Sequence, residues 1–129
     1  MAKKITPKKK KTIQIVESAR IYIKSSFNNT MISATDDKGN AIAWSSTGKA
    51  GFKGTKKSTP FAATQATKIL IEKLKDFQVK QVRIFVSGVS TGRDAALRAL
   101  ATAGIRITSI KDTTPIPHNG CRAKKPRRV

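Results

Sequence analysis

Acid is what this sequence most conspicuously lacks. Only 7 of its 129 residues are Asp or Glu, against 27 Lys and Arg, giving a formal net charge of +20. An imbalance of that size does not suit a freely soluble enzyme surface and points to a polyanionic partner, nucleic acid first. A single cysteine, Cys121, excludes an internal disulfide and any multi-cysteine zinc site, and fits a reducing compartment. No apolar run is long enough to span a bilayer and no lipidation signal is present, so an anionic membrane is the weaker polyanion. The N-terminus, MAKKITPKKKKT, has no apolar signal-peptide core, and its lysine-rich, arginine-free start makes a poor transit peptide.

What is present divides into three parts. Residues 1–13 carry six lysines (Lys3, Lys4, Lys8, Lys9, Lys10, Lys11) and read as a disordered basic tail. Residues 14–113 hold most of the 38% hydrophobic content, enough for one core. Residues 114–129, TPIPHNGCRAKKPRRV, form an extended C-terminal tail. Pro115 and Pro117 prevent a helix or sheet ladder from continuing, Asn119-Gly120 turns the chain, and Arg122, Lys124, Lys125, Arg127 and Arg128 follow with no acid. Such a segment buries too little to fold alone and waits for a polyanion.

The central part predicts β-β-β-α-β-α-β. RIYIKSSF alternates apolar and polar residues, so it reads as a strand, with a tight turn at Asn28-Asn29, where asparagine tolerates left-handed backbone. MISAT and AIAWSS are the next strands, joined by the DDKGN turn. Thr59-Pro60 starts a helix by a capping hydroxyl followed by proline. Phe61, Ala62, Ala66, Ile69, Leu70, Leu74 and Phe77 form its inward stripe. VKQVRIFVSG is the fourth strand. Thr91 or Gly92 begins a second helix, Arg93–Ala103, which turns Ala96, Leu97, Leu100 and Ala101 inward, with Gly104 at its C-cap, and IRITSIKD is the fifth strand. Right-handed crossovers then give an α+β fold of the ribonuclease-H-like type: a mixed five-stranded sheet of order 3-2-1-4-5, covered by helices.

That arrangement invites a nuclease, which needs carboxylates converging at strand ends around divalent metals. Here strands one and four carry no acid, and Asp36, Asp37, Glu72 and Asp76 are explained by turn chemistry and a wet helix face. His118 and Cys121 lack an orienting third group, so His118 is assigned to RNA contact and Cys121 to a small buried thiol. Gly88–Arg93 has the wrong glycine spacing for a dinucleotide fingerprint, and Gly48–Ser58 is no P-loop. We expect no enzyme, metal, cofactor or small-molecule substrate.

The loop Gly48–Ser58 combines three glycines with Lys49, Lys53, Lys56 and Lys57. Glycines permit close approach to phosphate and lysines neutralise it. Phe52 either stacks on a base or tucks into the core. Arg93, beside a helix N-terminus, offers a further phosphate site. Together the two tails and this loop hold fifteen of the 27 cations. Asn119-Gly120 is also a candidate for succinimide and isoaspartate formation, because an unhindered glycine nitrogen can attack the asparagine amide.

SSFNNT (25–30), GNAIAWSS (39–46), GFKGTKKSTPFAA (51–63), GRDAALRALATAGIRITSI (92–110) and TPIPHNGCR with a terminal RRV, in that order, resemble the small-subunit ribosomal protein eleven family in its bacterial or organellar form. The resemblance runs from Ile15 to Val129. Two departures stand out: Val89, Ser90 and Thr91 replace a middle glycine and prolines, and Ala123 stands where proline is common. The resemblance implies a structural constituent of the small subunit, in the cytoplasmic or an organellar ribosome. It would bridge small-subunit rRNA helices on the platform and help form the cleft where mRNA pairs with the rRNA 3′ end. Implied neighbours are ribosomal proteins seven, eighteen and twenty-one, with initiation factor three nearby. Implied RNA contacts are Asn28, Asn29, Lys53, Lys56, Lys57, Ser58, Arg93, His118, Asn119, Arg122, Arg127 and Arg128. From charge alone, Lys49, Lys124 and Lys125 join them. The competing reading is a free-standing nucleic-acid chaperone.

Overall fold

The computed structural model of the protein describes residues 15–128. Its elements are β1 (Ser18–Ser25), β2 (Thr30–Thr35), β3 (Ala41–Ser46), a short 3-10 helix (Gly54–Ser58), α1 (Pro60–Asp76), β4 (Gln81–Ser87), α2 (Thr91–Thr102) and β5 (Arg106–Asp112). They form one sheet of order β3-β2-β1-β4-β5, as the sequence leads one to expect. β1 pairs antiparallel with β2 and parallel with β4; β2 pairs antiparallel with β3, and β4 parallel with β5.

Both crossovers, β3 to β4 through α1 and β4 to β5 through α2, step across the sheet in the same direction. Right-handed connections that step the same way lie on the same face. The two helices therefore pack side by side on one face and leave the other without a layer among the described residues. Alternation in each strand records the same division: Ala19, Ile21 and Ile23 of β1, Ile32 and Ala34 of β2, and Val82, Ile84 and Val86 of β4 are buried. They meet Ala66, Leu70, Ile71 and Leu74 of α1 and Ala96 and Leu100 of α2. Each large aliphatic side chain buried this way contributes roughly 1.5–3 kcal/mol.

Thr59 caps α1 by accepting a hydrogen bond from the Ala62 N–H at 3.3 Å, with Pro60 in the first helical position. Gly104 follows α2 with φ +81°, the left-handed conformation that ends a helix cheaply at glycine. Two details of the expected helix stripes are corrected. Phe61 is 64% exposed, because nine residues at about 100° each place it roughly 180° around the helix from Leu70. Ala101 is likewise exposed, about 140° from Ala96.

Candidate nucleic-acid interface

β3 is antiparallel to β2, and β2 to β1, so β1, β3, β4 and β5 all run the same way. Their C-terminal ends share one end of the sheet. From that end leave the turn after β1, the lysine-rich loop after β3, the loop after β4 and the tail after β5. In open α/β sheets this is the end where ligands bind.

The turn after β1 is present, but not through left-handed asparagine: among the described non-glycine residues, positive φ occurs only at Gln78 and Asn119. Ser26 makes the turn instead. Its N–H donates to the Asn29 carbonyl at 2.8 Å, and its Oγ accepts from the N–H groups of Asn28 and Asn29. β1 consequently stops at Ser25, and Phe27, read in sequence as strand, stands 79% exposed at the tip. The Asn29 side chain is held inward, its Oδ1 accepting from Thr30 N at 2.9 Å and from the Thr47 hydroxyl. Asn28 stays exposed.

The lysine-rich segment is folded rather than slack. The Ala50 N–H donates to Ser46 O, that of Phe52 to Thr47 O, and the 3-10 helix follows. Phe52 is half-buried and meets Phe61 edge-to-face, with ring centroids 5.9 Å apart; it packs on the outer side of α1, apart from the buried core. Lys53 and Lys56 are exposed, and Lys57 and Ser58 half-buried. The Ser58 carbonyl accepts from the Thr91 hydroxyl at 3.1 Å, joining this segment to the start of α2. Lys49 turns toward β3, its Nζ 4.0 Å from the centroid of the Trp44 ring. Lys73 reaches the same ring from α1 and donates to the Trp44 carbonyl at 3.1 Å. The nearby Lys49 ammonium, with some desolvation, lowers the Lys73 pKa below its ordinary value.

After β4 the chain turns at Gly88, with φ +90°. A Cβ there would lie 1.9 Å from the Ser25 carbonyl oxygen, so only glycine lets this loop cross the end of β1. Ser90 caps α2, its Oγ accepting from the Gly92 N–H at 3.3 Å. Arg93 is turned onto its own scaffold. It donates to the Gly88 carbonyl at 3.2 Å and pairs with Asp112 at 2.9 Å.

The tail is anchored before it becomes free. The Thr113 N–H donates to the Val86 carbonyl at 2.7 Å, and the Gly88 N–H to the Thr114 hydroxyl at 3.2 Å. Asp112 accepts from the Thr114 hydroxyl and N–H and from Arg93, which together hold its pKa at about 2. From Pro115 to Arg128 every residue is exposed. His118, Asn119, Arg122, Lys124, Lys125, Arg127 and Arg128 therefore face solvent. Cys121, expected as a buried thiol, is exposed as well, because nothing packs over the extended chain. Asn119 has φ +56°, and the chain bends at His118-Asn119, one residue before the expected Asn119-Gly120 turn.

Among the described residues the ion pairs are Arg83–Asp37 and Arg93–Asp112. The cations of the lysine-rich loop and of the tail are in neither. No group of three His, Cys, Asp or Glu side chains among the described residues is arranged to hold a metal. No described helix is long and apolar enough to cross a membrane. Exposed Phe27 belongs to this surface, and exposed Trp44, on the open face of β3, borders it through Lys49; both are missing from the sequence-based set. Periodicity assigns both to strands, without telling which face is left open.

A small α/β body whose loops and tail gather uncompensated cations at one end of its sheet defines a class: an RNA-binding component of a ribonucleoprotein. The profile of the family described as Ribosomal protein S11 matches residues 19–128. The chain is 52% identical over 122 residues to the "Small ribosomal subunit protein uS11" of Sulfurovum sp. (strain NBC37-1), covering 94% of this chain and 98% of that relative. The chain belongs to the ribosomal protein S11 family. It is a structural constituent of the small ribosomal subunit, resident in the ribosome, and not an enzyme. The binding of rRNA belongs to that role.

Proposed function

We propose that the loop end of the sheet and the basic tail bridge small-subunit rRNA helices on the platform of the subunit, and help form the cleft where mRNA pairs with the rRNA 3′ end. The observation that carries this reading is the convergence of Asn28, Lys53, Lys56, Lys57 and the tail root at one end of the sheet. Asn29, Ser58 and Arg93 hold that surface in shape, and Arg122, Lys124, Lys125, Arg127 and Arg128 extend it along RNA. A-form RNA hides its base edges in a narrow major groove, so backbone shape and a few splayed bases supply specificity. His118 and Asn119, exposed at the bend of the tail, are the proposed contacts to such bases. Ribosomal proteins seven, eighteen and twenty-one, and initiation factor three, are the proposed neighbours. In support, an open groove between α1 and α2 is lined by Phe61, Ile71, Ala95 and Ala99.

Deleting residues 115–129 tests the proposal. The truncated chain is expected to keep its thermal unfolding transition, since residues 115–128 are exposed, and to lose most incorporation into reconstituted subunits. Unchanged incorporation would overturn it. Replacing Lys53, Lys56 and Lys57 with Gln should flatten the salt dependence of rRNA binding by about 0.7–0.9 log units per log unit of salt for each phosphate contact removed. On a sucrose gradient the protein should sediment quantitatively with the small subunit. A chaperone exchanging freely between RNA and solution would not.

A further inference from the structure

The face of the sheet away from the helices carries an ordered pattern. Register places five side chains in one row across all five strands: Trp44 on β3, Ser33 on β2, Tyr22 on β1, Phe85 on β4 and Lys111 on β5. Tyr22 and Phe85 stack, with centroids 5.1 Å apart and planes inclined by 16°. Ser33 is the short member of the row. It leaves a slot between Tyr22 and Trp44, whose strands lie two spacings, about 10 Å, apart. Trp44 is 53% exposed and Tyr22 39% exposed.

Cations border this row on both sides. Lys24 lies in the next row toward the loop end, while Arg20 and Arg83 are direct neighbours in the row on the other side. Like charges directly opposite one another destabilise a sheet unless something compensates them. Asp37 compensates Arg83 at 3.0 Å. Arg20 has no acid among its described partners, and its Nε is buried without a hydrogen bond. Aromatic rings partly open to solvent beside an uncompensated guanidinium, with the Lys49 ammonium 4.0 Å from the Trp44 centroid, have the chemistry that holds single-stranded nucleic acid, by stacking on bases and pairing with phosphates.

We infer that this open sheet face is a second RNA site, distinct from the loop end and tail, which takes an unstacked base of single-stranded or looped-out RNA in the slot over Ser33, between Tyr22 and Trp44. Arg20 and Lys24 meet the phosphates on either side. Charge selects RNA over a protein partner, because the face presents Arg20, Lys24, Arg83 and Lys111 against the one acid already paired. The inference rests on the chain binding RNA at all, so its test separates the two claims.

Trp44 is the only tryptophan of the chain, and its fluorescence reports on the slot. The full-length protein is titrated at low salt with a single-stranded oligoadenylate of about eight nucleotides, within the usual site size of such platforms. Quenching of Trp44 is expected. Tyr22→Ala should weaken binding about tenfold, and Ser33→Leu, which fills the slot and keeps both rings, should do the same. Tyr22→Phe should bind as the parent does, and if Tyr22→Ala fails to fold, Ser33→Leu and Tyr22→Phe carry the comparison. Parental affinity for Ser33→Leu, with binding lost only when the tail cations are changed to Gln, would overturn the sheet site while leaving the proposed function standing. Normal RNA binding by the slot variants, with loss of a neighbouring protein from reconstituted subunits, would also overturn it and make the face a protein contact. No RNA binding by the parent in any readout would instead refute the proposed function.

Discussion

Arg93 Nη2 lies 2.9 Å from the Asp112 carboxylate, tying the first turn of α2 to the last residue of β5. The same carboxylate accepts from the Thr114 N–H at 3.0 Å and from its hydroxyl at 2.6 Å. One acid, in a chain with few, thus fixes the point from which the basic tail departs and the direction in which it leaves.

The pH behaviour of that anchor follows from its sign. The folded pKa of Asp112 is depressed to about 2 from 3.8. A depressed carboxylate contributes its full stabilisation above the unfolded value and loses it as pH falls through the folded one. The anchor should be constant from neutral pH down to about 4, weaken below that, and be gone once pH drops below about 2. NMR titration of the Asp112 carboxyl carbon and the Thr114 amide should show one shared transition in that window. In Asp112→Asn the acid transition of the Thr114 amide should vanish; its persistence would show that another group controls the tail root.

Gly88→Ala should destabilise the domain by at least ~2 kcal/mol. It combines a left-handed φ of +90° with a Cβ 1.9 Å from the Ser25 carbonyl oxygen. Urea denaturation measures this. Gly120→Ala is the matched control: nothing lies within 4 Å of its Cβ, and no loss of stability is expected.

Leu70→Ala and Phe61→Ala, both on α1, should differ sharply. Leu70 is fully buried and Phe61 64% exposed. The first should cost about 2–5 kcal/mol. The second loses the edge-to-face contact with Phe52 and should cost roughly 0.5–1.5 kcal/mol. Equal losses in thermal melts would show that Phe61 belongs to the core after all.

Asn119 should convert slowly to isoaspartate. Its exposure and extended surroundings let the Gly120 nitrogen attack the side-chain amide, release ammonia and close a succinimide, which water reopens. Peptide mapping of protein aged at neutral pH should find isoaspartate at this position, with other asparagines intact. Conversion at Asn29 before Asn119 would contradict the account, since Asn29 is held by Thr30 and Thr47.

The order of elements, the sheet order and the polyanionic partner were legible in the sequence, because each rests on local or additive properties. Period-two alternation marks Ile21 and Ile23 as strand, Thr59-Pro60 marks a helix start, and charges add whatever the fold. The right-handedness of crossovers then ordered the strands. Exposure was a different matter. Phe61 passed for core because a stripe read along a line hides the half-turn between it and Leu70, and Cys121 passed for buried because its residue type usually is. The asparagines of the first turn were correctly placed but credited with a backbone conformation that the Ser26 hydroxyl makes unnecessary. Arg93 was chosen for its charge, and only the packed structure shows that charge bound to Asp112. The row from Trp44 to Lys111 joins residues from five strands, which no spacing within a single strand reveals. Cross-strand register, set by pairing distant in the chain, decides which side chains become neighbours.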